Sequence, residues 1–310
     1  MRYLVTGASG FLGAWTVRAL QAAGCDVVGV TRDPSPWRLA GADGVRVVAA
    51  PPANWPDVVA AEAPDVLIAL DWSGVAGPAR DGPEQDDNVD RLDAVLEAAL
   101  GAGVRRFVGC GSQAEYGWRD GPIDEDAQTR PVTAYGRAKV AALERVRERC
   151  DDRIEWIWAR IFSVFGPLDN EGNVLASVAR ALRSGQTLDV SRGGQPWSFL
   201  YASDCARALA SLALPGTPDG IVNVAHPDAS TLQSSLTTFA GAVTPSLGSL
   251  RFGPEDGPGL QADVTRLLAT GWRPEVPVAT GLESAARWYS GIALADDLLG
   301  GELPARPSDV

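Results

Sequence analysis

A chain of 310 residues can bury a large core and can form one large domain or two intimate ones. Hydrophobic residues at 45%, charged residues at 21% and a net charge of −12 describe an acidic globular protein, and exclude the basic face a nucleic-acid partner needs. No apolar run reaches the roughly 18 residues that span a bilayer, the N-terminus has no signal-peptide architecture, and Cys25, Cys110, Cys150 and Cys205 show no CxxC spacing. The expectation is a cytoplasmic protein with four free thiols and no membrane contact.

Residues 3–6 read as a short apolar strand and 11–23 as a helix closed by Gly24. Further strands are expected at 26–31, 45–49 and 65–70. Residues 86–100 form a helix with Val89, Leu92, Val95, Leu96 and Ala99 on one side, ended by Gly101 and Gly103. A fifth strand at 105–110, a helix at 133–150 and a sixth strand at 154–162 follow. Strands alternating with helices predict a doubly wound parallel α/β sheet, with about seven strands once 221–225 is included.

After Phe165-Gly166-Pro167 the rhythm changes. A helix at 174–183 and a strand at 187–190 precede a strand and helix over 199–214, expected to return to the first sheet. Shorter elements follow at 231–240, 263–269 and 281–289. This predicts a larger Rossmann-type lobe from residues 1–166 and 197–226. A smaller interleaved α/β lobe would come from 167–196 and 227–310.

Gly7-Ala8-Ser9-Gly10-Phe11-Leu12-Gly13 lies between the first strand and the first helix. Its GxxGxxG spacing permits a tight turn, close approach of backbone to a pyrophosphate, and an anion at the helix N-terminus. At the end of the second strand stand Thr31, Arg32 and Asp33. An acidic residue here holds the ribose 2′-hydroxyl of NAD, and an arginine accommodates the 2′-phosphate of NADP. Arg32 comes first, so NADP(H) is favoured and NAD(H) remains possible.

Lys139 is the only lysine; the other 26 basic residues are arginine. It stands four residues after Tyr135, which puts phenol and ammonium on one helix face. A nearby cation lowers a phenol pKa, giving a proton donor and acceptor usable near neutral pH. Ser112 directly follows the fifth strand, where ligands bind beyond the carboxyl ends of a parallel sheet. Tyr116 lacks a lysine and is read as packing. His226 is the single histidine and is read as structural at a strand-to-loop exit; a multi-histidine metal site is not available, and no metal is expected.

These residues resemble the extended short-chain dehydrogenase/reductase family, of the nucleoside-diphosphate-sugar epimerase, dehydratase and reductase type. The resemblance covers nearly the whole chain. It rests on Gly7/Gly10/Gly13, Ser112, Tyr135/Lys139, the stretch Arg160 to Pro167, and Trp197 to Asp204. It implies a catalytic Ser112, Tyr135 and Lys139. It implies cofactor contacts from Gly7, Ser9, Gly10, Phe11, Leu12, Gly13, Thr31, Arg32, Ala69, Leu70, Tyr135, Lys139 and Phe162. Substrate contacts are implied for Trp72, Ser112, Gln113, Tyr135, Ser163, Asn173, Arg192 and Trp197. It also implies that the larger lobe holds NADP, that the smaller holds a nucleoside-diphosphate sugar, and that two copies pair into a homodimer. The helix stripes Leu92, Val95, Leu96 and Val140, Leu143, Val146 would form that interface.

Departures narrow the function. Gln113 and Ala114 replace the Asp-Glu pair that dehydrating members carry, so 4,6-dehydration is disfavoured. Trp197-Ser198-Phe199 lacks the family's diphosphate arginine, and Arg192 or Arg251 would have to substitute. Ser163 stands for the usual asparagine, and Ala49-Ala50-Pro51 lacks an aspartate toward the adenine. Asp71 to Gly77, with Arg80, Gln85 and Asn88, is similar to bacterial enzymes that finish 4-keto-6-deoxyhexoses. The expectation is NADPH-dependent reduction of the C4 ketone of a nucleotide-activated 4-keto-6-deoxyhexose. The alternative is a nucleotide-sugar 4-epimerase with tightly bound cofactor. An NADP-sensing regulator without catalysis has no need of the intact Ser–Tyr–Lys set.

Overall fold

Seven apolar runs become seven parallel strands: β1 (Arg2–Thr6), β2 (Asp26–Thr31), β3 (Arg46–Ala49), β4 (Val66–Ala69), β5 (Arg106–Ser112), β6 (Glu155–Ile161) and β7 (Gly220–Val224). The computed structural model describes residues 1–119, 121–150, 153–170, 172–292 and 303–304. The strands lie in the order β7-β6-β5-β4-β1-β2-β3, with β1 at the switch between the two winding directions. Neighbouring residues on one strand face opposite helix layers. Val5, Ile68 and Val108 pack into one, and Leu4, Leu67 and Phe107 into the other. Burial on both faces is why these strands read as continuous apolar runs rather than alternating ones.

Helices α1 (Phe11–Ala22), α2 (Trp55–Glu62), α3 (Glu84–Gly101) and α4 (Ala134–Cys150) cover the sheet. Helix α2 is missing from the sequence-based expectation. It spans eight residues and carries a proline in its first turn, too little for a clear periodic signal. The stripes expected to form a dimer interface belong to the core instead, apart from Val140, which is only half-buried. Leu92, Val95, Leu96, Leu143 and Val146 are all buried where α3 packs on α4 beneath the sheet. Among the described residues no helix is long and apolar enough to cross a membrane.

The smaller lobe has its own core of Phe165, Leu175, Val178, Phe239, Leu282 and Tyr289. It is built on α5 (Val174–Arg183), α7 (Leu232–Ala242) and α9 (Val278–Tyr289), with strand Thr187–Val190 parallel to Ser249–Phe252. Two expected boundaries shift. Strand Phe199–Tyr201 pairs with Ser163–Phe165 rather than with the large sheet, while the helix after it, α6 (Ala202–Leu212), packs on α1. Within the segment assigned to the smaller lobe, Leu260, Ala262, Val264, Leu267 and Trp272 belong to the large lobe's core. There Gln261–Ala262 pairs with Pro122–Ile123, and α8 (Thr265–Ala269) packs against β7. The expected lobe ending at 310 runs partly outside the described residues.

Candidate active site

The turn between β1 and α1 is shaped by its glycines. Gly7 has φ +66°, and a Cβ there would lie 2.8 Å from the Asp71 backbone nitrogen. A Cβ on Gly13 would lie 2.1 Å from the Gly7 carbonyl oxygen, so only glycine fits. Gly10 is the N-cap of α1 and offers no side-chain cap, and no acidic residue stands in the first turn. The first amides of α1 are therefore left for an anion, which fits a dinucleotide pyrophosphate. The turn lines a cleft of about 930 Å³ together with Thr31, Arg32, Leu70 and Trp72.

Thr31 is fully buried, and its hydroxyl lies 2.5 Å from that of Ser9. Arg32 is exposed at the cleft edge. Asp33 is turned onto its own loop, accepting from the Ser35 amide at 2.8 Å. Ala69 is buried in β4 one residue short of the cleft, and Leu70 reaches it.

A second cavity of about 400 Å³ adjoins the cleft across Gly10, Leu70 and Trp72. It brings together Ser112 from the end of β5, and Tyr135 and Lys139 from one face of α4. The Ser112 hydroxyl and the Tyr135 phenol both line it, and Ser112 favours the ionised phenol. The Lys139 ammonium is 1% exposed, donates to the Cys110 carbonyl at 2.6 Å, and lies 3.4 Å from the Trp72 ring centroid. Burial lowers its pKa. Trp72 is fixed by its indole N–H donating to Gln85 Oε1 at 2.9 Å, and Asn88 bonds both backbone groups of Ser73. Gln85 and Asn88, singled out by resemblance, thus pin the 72–80 loop from α3.

The expectation of a lowered Tyr135 pKa is overturned in this structure. Burial pushes the phenol well above its ordinary value, and the Ser112 hydroxyl and the charge of Arg80 offset this only in part. Ser112 is itself held by a buried carboxylate. Glu115 Oε1 accepts from the Ser112 amide at 2.8 Å and from Trp158 Nε1 at 2.9 Å, and Oε2 accepts from Arg160 Nε at 2.7 Å. Tyr116 is packing, as read: it is fully buried, donates to Asn223 Oδ1 at 2.7 Å, and burial raises its pKa to about 12.

Phe11, Leu12, Gly13, Phe162, Gln113 and Asn173 all reach this cavity. Gln113 Oε1 is buried without a partner and so is available to a ligand. Asn173 is committed to the fold: its carbonyl caps α5 at Ala176, and its amide donates to Asp169, the Asn170 carbonyl and Tyr289. Other expected contacts do not converge. Trp197 Nε1 donates to Ser163 Oγ at 2.9 Å, and neither residue lines the cavity. Arg192 is exposed and paired with Asp256; Arg251 is exposed and paired with Asp189. These residues were placed by the resemblance, and none of the four lines the cavity.

Two cavity residues escaped the sequence reading as functional groups. Arg80 is the arginine that lines the cavity. Asp169 is buried at its other end, accepting from the Asn170 amide and Asn173 Nδ2, each at 2.6 Å, and burial pushes its pKa up to about 8. Arg80 was named only within the subgroup resemblance, with no role, and Asp169 stands in no motif, since a lone charge in a loop carries no periodic signal. His226 lies outside both cavities and accepts from the Asp228 amide at 3.1 Å. Among the described residues no group of three His, Cys, Asp or Glu side chains could hold a metal.

A glycine turn at the switch strand of a parallel sheet, with Ser, Tyr and Lys converging beyond it, defines a dinucleotide-dependent oxidoreductase of the short-chain dehydrogenase/reductase class. Residues 3–225 match the NAD dependent epimerase/dehydratase family, and the chain belongs to that family. It is 31% identical to a 2'-dehydrokanamycin reductase of Streptomyces kanamyceticus over 72% of this chain, a match spanning 60% of that relative. It is 28% identical to a UDP-glucose 4-epimerase of Mycolicibacterium smegmatis, covering 93% of this chain and 98% of that one. It is also 28% identical to a dTDP-4-dehydro-6-deoxy-D-allose reductase of Streptomyces bikiniensis, covering 92% and 95%.

Proposed function

We propose that this enzyme reduces the C4 ketone of a nucleotide-activated 4-keto-6-deoxyhexose with NADPH. The observation that carries the reading is the convergence of Ser112, Tyr135 and Lys139 on one cavity, with the buried Tyr135 phenol held in its protonated form. A reduction needs a proton donor from the start, and a high phenol pKa supplies one at neutral pH. Reduced nicotinamide would supply the hydride. Ser112 orients the carbonyl oxygen, Tyr135 gives it a proton, and Lys139 anchors the cofactor's ribose from beneath Trp72. Gln113 and Ala114 offer no acid or base, which argues against dehydration.

Three features support NADPH. The strand-end residue is Thr31 rather than a carboxylate, Asp33 is engaged by Ser35, and Arg32 is free at the cleft edge. In this reading the larger lobe holds the dinucleotide, the smaller lobe holds the nucleotide sugar, and the enzyme works in the cytoplasm as a homodimer. Since the apolar stripes are internal, the dimer would rest on the charged outer faces of α3 and α4; light scattering reports its mass.

The decisive experiment incubates the protein with NADPH and a panel of nucleotide 4-keto-6-deoxysugars. Stoichiometric loss of reduced cofactor is expected. The second reading, a 4-epimerase, is favoured by the full-length similarity to the mycobacterial epimerase. It requires interconversion of nucleotide sugars with no net cofactor consumption, and that outcome would replace the reductase reading.

A further inference from the structure

Lys139 is not the cation nearest to Tyr135. Its ammonium lies 5.8 Å from the phenol ring centroid and is engaged by the Cys110 carbonyl and the Trp72 ring. The Arg80 guanidinium carbon is 4.7 Å from the same centroid. Arg80 sits in the short 3-10 turn Gly77–Asp81, which is tied to the tyrosine's surroundings at both ends. Gln85 Nε2 donates to the Ala79 carbonyl at 3.0 Å, and Asp81 Oδ1 accepts from the Ala134 amide at 2.7 Å, at the start of α4.

The guanidinium is also uncommitted. Its Nε is buried without a hydrogen-bond partner, and no carboxylate pairs with it among the described residues. Arg91, Arg160, Arg192 and Arg251 each have such a partner. In a chain of net charge −12, an unpaired guanidinium against the ring of the proton donor keeps its charge for that ring. A cation over an aromatic face is attracted to its π density, and the attraction grows when the ring becomes anionic.

We propose that Arg80 is a positioning residue of the proton-transfer step: stacked on the Tyr135 ring, it stabilises the phenolate left when the proton departs. The inference rests on the reading of Tyr135 as proton donor. In reduction, a hydride with its electron pair joins the carbonyl carbon and the C=O π pair moves to oxygen. That oxygen takes the phenol proton, and the phenolate regains a proton from water. The titratable and charged groups facing Tyr135 are Lys139 on its own helix, the Cys110 thiol on β5, Glu115 after β5 and Arg80. Glu115 is neutralised by Arg160. Burial, Cys110 and Glu115 oppose the phenolate, while Ser112 and Arg80 favour it.

The test uses the full chain with Arg80→Gln, Arg80→Lys and Arg80→Ala, each checked for an unchanged melting transition. In the alcohol-oxidising direction Tyr135 must be deprotonated, so kcat/KM rises with pH and levels off at the phenol's pKa. Arg80→Gln is expected to move the levelling-off upward by about one pH unit or more, and Arg80→Lys by less. Added guanidinium chloride, but not sodium chloride, should restore part of kcat to Arg80→Ala, with NADPH affinity unchanged throughout. A levelling-off at the wild-type pH in Arg80→Gln, or a failure of guanidinium to restore any kcat to Arg80→Ala, overturns the proposal. Tyr135→Phe separates the two ideas. If it stays active, the proton-donor reading fails; if it is inactive while Arg80→Gln behaves as wild type, only the role of Arg80 fails.

Discussion

The cofactor cleft and the sugar-side cavity share a wall, yet they are built in opposite ways. The cleft's floor is one contiguous run, Gly7 to Gly13, and works through backbone: a turn only glycine can make and helix amides left open. The cavity gathers side chains from six separate segments, with Phe11 and Leu12 from α1, Trp72 and Arg80 from one loop, Ser112 and Gln113 at the end of β5, Tyr135 and Lys139 from α4, Phe162 after β6, and Asp169 before α5. A site made of backbone tolerates variation in side chains around it. A site made of dispersed side chains depends on whatever holds each one in place, and here that support is a second layer: Glu115 under Ser112, Gln85 under Trp72, Asp81 at the head of α4.

The contrast can be broken from either side. The largest effect is expected from Tyr135→Phe, which removes one oxygen from the cavity and leaves the cleft untouched. Turnover should fall roughly 10²–10⁴-fold with NADPH affinity little changed, measured by steady-state kinetics and cofactor titration. Equal losses in both would mean the two halves are not separable. Next is Glu115→Ala, which strands the buried Arg160 charge. A loss of about 3–5 kcal/mol is expected in chemical denaturation, because an unpaired buried charge is costly. A loss well under 1 kcal/mol would show that the second layer bears no load.

Arg32→Ala probes the cleft alone. It should weaken NADPH binding by about 1.5–3 kcal/mol and NADH binding hardly at all, read by titration with each cofactor. Equal weakening of both would remove the NADP assignment. The most confined effect, visible only in how stability depends on pH, is expected at Asp169. Its folded pKa, raised to about 8, lies above the ordinary carboxylate value, so folding favours the protonated form. Its contribution to stability is fully present below the unfolded pKa and is lost as pH rises through about 8. Asp169→Asn cannot ionise. Its stability relative to wild type should therefore rise between pH 4 and pH 8, read by melting temperatures across that range, and a flat difference would refute the assignment.

Local rules carried much of the structure. The seven strands, the glycine turn and the Tyr135–Lys139 helix follow from short-range patterns: apolar runs, a fixed φ requirement, a spacing of four on a helix. Those patterns were legible because each is complete within a dozen residues. Tertiary packing decided the rest. It buried the α3 and α4 stripes, Val140 apart, inside the chain. It sent residues 260–272 back to the larger lobe, and it paired Arg192 and Arg251 with nearby carboxylates away from the cavity. It also set the tyrosine's proton affinity, since desolvation depends on everything packed around a group, whereas spacing reports only one neighbour. The lone lysine pointed to the right helix, but which cation stands over the phenol was settled by a loop more than fifty residues upstream, brought there by the fold.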